Sequence, residues 1–414
     1  MAFRRSLFLV VIASIASACG DGSQAPPAEV VPVTDDPGTG PWELVARDRV
    51  LEECGLDPDL LDQADALLDR PWAAVRYGKL CHEYYPEGED SPTHLFSATK
   101  TMSAVVLGMA AWETRNLERT GRKTGPISAE DRVDHWLDEF SFNPDARIEH
   151  VLAMVAFNPS LEFGDKVHRY DASGAREINR LSDVIRTAIM QDPKRLGRDV
   201  EEFWQRHMVG PLGLRDSTWS GGAPDKILGY SWYGSVQDMA RVGLLINNKG
   251  VWNGRRLLGE RWIHSMTHPA FEDANTGYGW LTWLSAKANH NFGGILGGTK
   301  FQSPLDPCAP PALHGEYPHG ISASPDCGYG GRWSCEQEYD AGVWSALGAG
   351  GQIITGHPGL DLVLVVKDLG QAAFAGSLWG PVRPAVVAAD PRFRGDEEAF
   401  CEEYGNSRYA PDLR

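Results

Sequence analysis

The sequence of 414 residues has fewer positive than negative charges, with 39 Lys and Arg against 56 Asp and Glu, and it lacks the motifs that identify most metal and nucleotide enzymes. Its formal net charge of −17 argues against nucleic acid or an anionic membrane surface as a partner, because both would repel it. No HExxH motif, no CxxC pair and no glycine-rich phosphate loop occurs. We therefore expect neither a metal site nor a cofactor.

An apolar run of membrane-spanning length is absent after the N-terminus. At the N-terminus itself, two arginines precede the apolar stretch 7–15 and small residues ending at Ala18. This order is typical of a secretory signal peptide, and the stretch is too short to span a bilayer. Small residues directly before Cys19 resemble a bacterial lipobox, in which the cysteine is lipidated. The alternative is an ordinary signal peptide that contains a cysteine. We predict a signal peptide at 1–18 and a flexible Gly- and Pro-rich tether at 19–45. Cys19 would anchor the tether to a membrane, facing the periplasm or the cell exterior.

Cysteine is also scarce, with six residues besides Cys19. An even number in an exported protein indicates disulfides, although the sequence leaves their pairing open. A zinc site is the alternative, but the spacings between 308 and 335 are irregular and no CxxC pair occurs. Disulfides are therefore favoured. The six residues are Cys54, Cys81, Cys308, Cys327, Cys335 and Cys401.

The pattern of apolar residues predicts an α+β domain, because strand-like segments lie at both ends of the chain with helical segments between them. The segment 285–339 has no periodicity and is rich in Gly, Pro, Cys and His. Its three cysteines favour an ordered, disulfide-linked insertion. The predicted helices are 57–68, a buried helix opened by Ser97 within 94–111, a helical region up to about 248, and 260–266; the predicted strands are a hairpin at 72–85 and runs at 278–284 and 352–367.

One SxxK tetrad, Ser97 to Lys100, opens the strongly apolar helix. Residues three apart share a helix face, so the lysine amine can approach the serine hydroxyl. A serine hydroxyl is a weak nucleophile that needs a neighbouring base, and a lysine can be that base if burial lowers its pKa. The first turn of a helix also directs N–H groups at an incoming carbonyl. The tetrad therefore predicts a serine nucleophile with a lysine base.

Six landmarks occur in an order that resembles the class C β-lactamase-like serine hydrolases. That family includes penicillin-recognising enzymes, certain esterases and 6-aminohexanoate-oligomer hydrolases. The resemblance covers roughly residues 50–390. It implies a β-lactamase/transpeptidase-like fold over 46–395, with an antiparallel sheet flanked by helices, an all-helical region, and a C-terminal tail at 396–414. The landmarks are 96–100, 148–154, 164–170 with 181–185, 211–219, 235–254 and 348–352.

The resemblance implies that Tyr170 belongs to the second catalytic motif. A tyrosine there can relay a proton between the serine, the lysine and the leaving group. Local sequence alone leaves open that Tyr170 is a half-buried core residue. The motif ends in Ala172 where the family has Asn, so one substrate hydrogen bond of the family is missing.

The third motif departs further from the family. Ala349 replaces the usual Lys or His, and alanine cannot contact a substrate carboxylate. Gly350 and Gly351 still suit a strand edge that a substrate approaches closely. The resemblance implies an oxyanion hole formed by the N–H of Ser97 and the N–H of Gly351 or Gln352.

Two other features have plainer explanations. Residues 123–125 spell the Lys-Thr-Gly box of penicillin-recognising enzymes, but they lie in a polar loop soon after the nucleophile. We interpret them as coincidence. His150 lies in an apolar helix and is expected to be packed and not catalytic.

The predicted function is hydrolysis of an ester or amide in a small-molecule or peptide-like substrate through an acyl-serine intermediate. True β-lactamase activity is less expected than esterase or amidase activity, because Ala349 cannot bind the penicillin carboxylate. The alternative is a lipoprotein of the same fold that binds a penicillin-like or cell-wall ligand without turnover. The insertion 285–339 is predicted either as a lid beside the cleft or as a surface ornament.

The resemblance also implies a disulfide pairing. The N- and C-terminal helices of the family usually pack side by side, which implies a bond between Cys54 and Cys401. One bond would then form among the three cysteines of the insertion, and the thiol left over would pair with Cys81.

Overall fold

The structure, a computed structural model, describes residues 35–170, 172–221, 225–271, 273–275, 277–284, 344–370 and 375–386. Among the described helices, none is both long and apolar enough to cross a membrane. The described strands are β1 (Trp72–Arg76), β2 (Lys79–Tyr84), β3 (Thr93–His94), β4 (Thr218–Trp219), β5 (Trp232–Gly234), β6 (Val251–Trp252), β7 (Arg255–Arg256), β8 (Trp283–Leu284), β9 (Trp344–Gly348), β10 (Gln352–His357) and β11 (Leu362–Val366). The described helices are α1 (Val50–Cys54), α2 (Pro58–Leu68), α3 (Thr99–Thr114), α4 (Val133–Trp136), α5 (Ile148–Leu152), α6 (Ala172–Ile189), α7 (Pro193–Leu196), α8 (Val200–Trp204), α9 (Gly210–Leu212), α10 (Val236–Asn247), α11 (Glu260–Thr267) and α12 (Ala375–Val382).

A six-stranded antiparallel sheet, in the order β2-β1-β11-β10-β9-β8, forms the centre of the described part of the chain. Strands from the two ends of the sequence are neighbours, since Trp72 of β1 pairs with Val366 of β11. All five side chains of β11 are buried, which explains its uninterrupted apolar sequence LVLVV. The predicted α+β class, with a sheet that joins early and late segments, is confirmed.

Helices cover both faces of this sheet. Successive side chains of a strand point to opposite faces, and Ile354 and Thr355 of β10 show which helix lies on each side. Ile354 packs on α10 at Gly243, where a Cβ would lie 2.9 Å from the isoleucine side chain. Thr355 accepts a hydrogen bond of 3.1 Å from the indole of Trp379 in α12, which packs on α2. The core therefore has a sheet between two helical layers.

Helix α3, which begins just after Ser97, is buried along most of its length. Small side chains make this possible, because neighbouring elements approach its backbone closely. A Cβ on Gly108 would lie 2.5 Å from the ring of Trp262 in α11. The buried helix predicted from the apolar run is confirmed.

Three further predicted elements are confirmed: helix 57–68 as α2, capped by Asp57, the hairpin 72–85 as β1 and β2, and helix 260–266 as α11. Two predicted strands were too long. The run 352–367 divides into β10 and β11 at a 3-10 turn, Pro358–Leu360. Of 278–284 only β8 is a strand, because Leu281 has a φ of 53° and its N–H donates to the Leu152 carbonyl.

The structure contains a disulfide between Cys54 and Cys81, with their Cα atoms 6.2 Å apart. The pairing of Cys54 with Cys401 was therefore wrong, and so was the pairing of Cys81 with a thiol of the insertion. The cause is that α1 lies against β2. The buried guanidinium of Arg76 in β1 reinforces this contact by donating to the carbonyls of Cys54 and Gly55 at 3.1 Å.

Several predictions fall outside the described residues. They are the signal peptide at 1–18, Cys19, most of the tether, the insertion 285–339 with Cys308, Cys327 and Cys335, Cys401, and the tail at 396–414.

Candidate active site

Ser97 lies at the entrance to α3, in the 3-10 turn Phe96–Ala98. The preceding residue, Phe96, has a φ of 45°, a left-handed conformation that non-glycine residues rarely adopt. Such strain persists only where the surrounding structure holds it. Here β9 packs on the turn so closely that a Cβ on Gly348 would lie 2.1 Å from the Leu95 carbonyl oxygen. The strained turn therefore presents the serine at the start of a buried helix.

Lys100 is in contact with this serine. Its Nζ lies 2.9 Å from Ser97 Oγ and donates to the Gly229 carbonyl at 2.9 Å. The side chain is buried, and removal from water lowers the pKa of the amine to about 7. In the described part of the chain, no carboxylate forms an ion pair with Lys100. A large fraction of the amine is therefore neutral near neutral pH, and a neutral amine can accept the serine proton.

The Gly229 carbonyl that orients Lys100 is itself held in place by two helices. The side chain of Asn179 in α6 accepts the Gly229 N–H at 3.1 Å. Ser103 of α3 donates to the Leu228 carbonyl at 2.9 Å. Sequence reasoning missed Asn179 and Gly229, because neither belongs to a motif and the contact joins segments far apart in the chain.

Tyr170 completes the cluster. Its phenol interacts with the side chains of Ser97 and Trp283, and its ring centroid lies 4.9 Å from the Lys100 amine. Its ring also packs on Trp283, with centroids 5.0 Å apart. Burial raises the pKa of Tyr170 to about 12. The phenol therefore keeps its proton at neutral pH, which leaves the amine of Lys100 as the stronger candidate for the base.

The segment 348–352 lies at the turn between β9 and β10. The Gly351 N–H donates to the Gly348 carbonyl at 3.2 Å, so in this conformation it is not the expected oxyanion donor. Gln352 is buried, and its side-chain amide donates to the Asp368 carboxylate at 2.6 Å. Gly350 accepts the Gly370 N–H at 2.9 Å. These three residues thus join the turn to the end of β11, whereas Gly348 contacts the nucleophile turn.

The Lys-Thr-Gly sequence at 123–125 lies in a polar loop and His150 is packed in a helix, as expected. Lys123 lies in the polar loop and pairs with Asp138. His150 is buried in α5, where its Nδ1 accepts the Arg147 N–H at 2.9 Å and its ring stacks on Phe271 with centroids 5.1 Å apart. Burial lowers the pKa of His150 to about 4. Its role at the start of α5 is structural.

No protein-family model matches the sequence, and no curated protein matches it. Solved structures do match. A proposed β-lactamase from Bacteroides dorei is 14% identical and aligns over 79% of this chain and 98% of its own, with a TM-score of 0.51. A penicillin-binding protein homologue from Caulobacter crescentus is 12% identical and aligns over 80% of this chain and 98% of its own, with a TM-score of 0.52. The chain therefore has the fold of β-lactamases and penicillin-binding proteins, and the predicted fold is confirmed.

Proposed function

We propose that this protein is a serine hydrolase that cleaves an ester or amide through an acyl-serine intermediate. The observation that carries the proposal is the contact of 2.9 Å between Ser97 Oγ and the Lys100 amine. Burial brings the pKa of that amine to about 7. A base whose pKa lies near the working pH is the most effective in proton transfer.

In the first step, the neutral Lys100 amine takes the proton of Ser97 while Oγ attacks the substrate carbonyl. The tetrahedral intermediate then breaks its bond to the leaving group, which receives a proton that Lys100 returns directly or through Tyr170. In the second step, water attacks the acyl-serine, releases the carboxylic acid and restores the serine hydroxyl. Because the raised pKa keeps Tyr170 protonated at neutral pH, the phenol relays by receiving one proton from Lys100 as it passes its own to the leaving group.

The tetrahedral oxyanion needs donors that are in place before the reaction. The Ser97 N–H belongs to the first turn of its helix, where N–H groups have no acceptor within the helix. The second donor we propose is the N–H of Leu347. Neighbouring residues of a strand direct their amides to opposite edges. Since the Gly348 carbonyl faces β10, the amide of Leu347 faces the other edge of β9, where β8 pairs only as far as Ser345.

The substrate we propose lacks an essential carboxylate. Ala349 is exposed at the turn after β9 and brings no cation there. Uncharged esters and amides fit such a site better than penicillins, which carry a carboxylate. The N-terminal sequence supports export and attachment to a membrane through lipidation of Cys19.

The same absence of a cation, together with Ala172 in place of Asn, supports a second candidate. A binding protein on this fold would recognise its ligand without turnover. The two candidates differ in whether Ser97 forms a covalent bond with the acyl group.

Covalent labelling distinguishes them. The purified protein is treated separately with a fluorophosphonate and a fluorescent penicillin, and the modified peptide is identified by mass spectrometry. We expect the fluorophosphonate on Ser97, and loss of both labelling and p-nitrophenyl ester hydrolysis in Ser97→Ala with unchanged circular dichroism. Ser265→Ala is the matched control, since among the described residues that hydroxyl bonds only to the Arg261 carbonyl within α11. Full hydrolysis by folded Ser97→Ala would refute the assignment, and binding without covalent labelling would support the second candidate.

A further inference from the structure

The segment that carries Tyr170 is anchored at four successive residues before the tyrosine. One anchor reaches Asp273 and the other three reach the stretch 153–158, so the backbone of the segment has little freedom. The anchors are Lys166 to the Asp273 carboxylate, Val167 to both side-chain groups of Asn158, His168 Nδ1 to the Ala153 carbonyl, and the Arg169 N–H to the Met154 carbonyl.

The first anchor is a buried ion pair. Lys166 Nζ lies 2.9 Å from Asp273 Oδ2, and the two side chains are only 5% and 6% exposed. The same amine donates to the carbonyls of Leu161 and Glu162 at 3.2 and 3.0 Å. The same carboxylate oxygen accepts the Gly164 N–H at 2.7 Å. The pair therefore fixes the loop before Tyr170 to the loop after α11.

Stability alone is a poor explanation for such a pair. Taking two charges out of water costs several kcal/mol per ion, and apolar side chains of the same size often stabilise a protein as well or better. A buried pair with further hydrogen bonds does restrict a loop to one arrangement, because any other leaves charges unpaired. The residue whose position this restriction decides is Tyr170, four residues after Lys166.

We propose that Lys166 and Asp273 are positioning residues for Tyr170, holding its phenol against Ser97. This inference rests on the proposed hydrolase function and deepens it. A displacement of about 1 Å at a reacting group can cost on the order of a hundredfold in rate. The ion pair thus acts on the chemical step through the tyrosine and does not contact the reacting atoms.

A second buried pair offers a matched control. Lys367 Nζ lies 2.9 Å from Asp90, with side chains 3% and 15% exposed. Asp90 also accepts the N–H groups of Val236 and Gln237, at the start of α10. Each aspartate thus keeps backbone donors when its lysine is removed. Only the Lys166–Asp273 pair adjoins the segment that carries Tyr170.

The experiment measures kcat and KM for ester hydrolysis in Lys166→Met, Lys166→Arg and Lys367→Met, at a temperature where all are folded by circular dichroism. We expect kcat to fall by about 10- to 100-fold in Lys166→Met with KM changed less than about threefold. Lys166→Arg and Lys367→Met should stay within about threefold of wild type. If Lys166→Met does not fold, Asp273→Asn replaces it. Equal losses of kcat in Lys166→Met and Lys367→Met would overturn the proposal.

A double-mutant cycle tests whether Lys166 acts through Tyr170. In a Tyr170→Phe background, Lys166→Met should lower kcat by less than about threefold further. Losses that multiply would overturn the positioning role. If Tyr170→Phe alone left kcat unchanged, the failure would lie in the proposed role of the tyrosine, which this arm shows separately.

Discussion

Replacement of Lys100 by methionine should make the stability of the protein respond differently to pH. The pKa of this amine falls from its ordinary value of 10.5 to about 7 on folding, because the side chain is buried. Each pKa unit corresponds to about 1.4 kcal/mol, so burial of the charged amine costs about 5 kcal/mol. Methionine has a similar length and carries no charge, so the variant lacks this cost.

The direction in which stability changes with pH follows from the number of protons that the folded and the unfolded protein bind. Below pH 7 the amine is protonated in both the folded and the unfolded protein, and the whole cost applies. Between pH 7 and 10.5 Lys100 binds more protons in the unfolded chain than in the folded one, so its contribution to the stability of the wild type rises with pH. The gain relative to Lys100→Met should be about 2 kcal/mol between pH 7 and 9.

At pH 6 two effects oppose each other in the variant. Removal of the charged amine contributes about 5 kcal/mol, whereas the Gly229 carbonyl loses its donor at a cost of about 1–3 kcal/mol. Lys100→Met should therefore be the more stable protein at this pH, although it lacks hydrolytic activity.

Guanidinium denaturation followed by tryptophan fluorescence, at pH 6, 7, 8 and 9, measures the unfolding free energy of both proteins. In parallel, kcat/KM of the wild type for a neutral ester should rise as pH increases through about 7, because the neutral amine is the base. A stability difference that stays constant from pH 6 to 9 would show that Lys100 keeps its proton. The proposed role of Lys100 as base would then be refuted.

Two further predictions concern stability. Non-reducing peptide mapping should recover Cys54 linked to Cys81, and Cys81→Ser should lower the unfolding free energy by about 3–4 kcal/mol, as expected for a loop of this length; recovery of Cys54 with any other cysteine would contradict the structure. Gly243→Ala should cost about 1–3 kcal/mol, because its Cβ would lie 2.6 Å from the Val363 side chain. The control Gly121→Ala, where a Cβ meets nothing within 4 Å, should stay within about 0.5 kcal/mol, and an equal loss in both would refute the packing argument.

Much of the fold was predictable because its signals are local. The helical spacing behind Asp57 predicted α2, and the alternation on both sides of Gly78 predicted the hairpin of β1 and β2. The strand predicted at 278–284 was wrong in length, because apolar composition alone does not reveal a residue such as Leu281 with positive φ. The predicted pairing of Cys54 with Cys401 was wrong, because disulfide pairing depends on which distant segments meet in the folded chain.

The candidate site likewise has features that local sequence predicts and features that depend on distant parts of the chain. The sequence by itself determined that Ser97 and Lys100 face each other, because residues three apart on a helix share a face wherever that helix lies. Only the tertiary structure decided what this pair can do. The burial that lowers the pKa of Lys100 and the carbonyl of Gly229, 129 residues away, come from distant parts of the chain. So does the contact between Tyr170 and Trp283. Helical periodicity is a property of neighbouring residues, whereas desolvation is a property of everything packed around a group, and the packing exists only once the chain has folded.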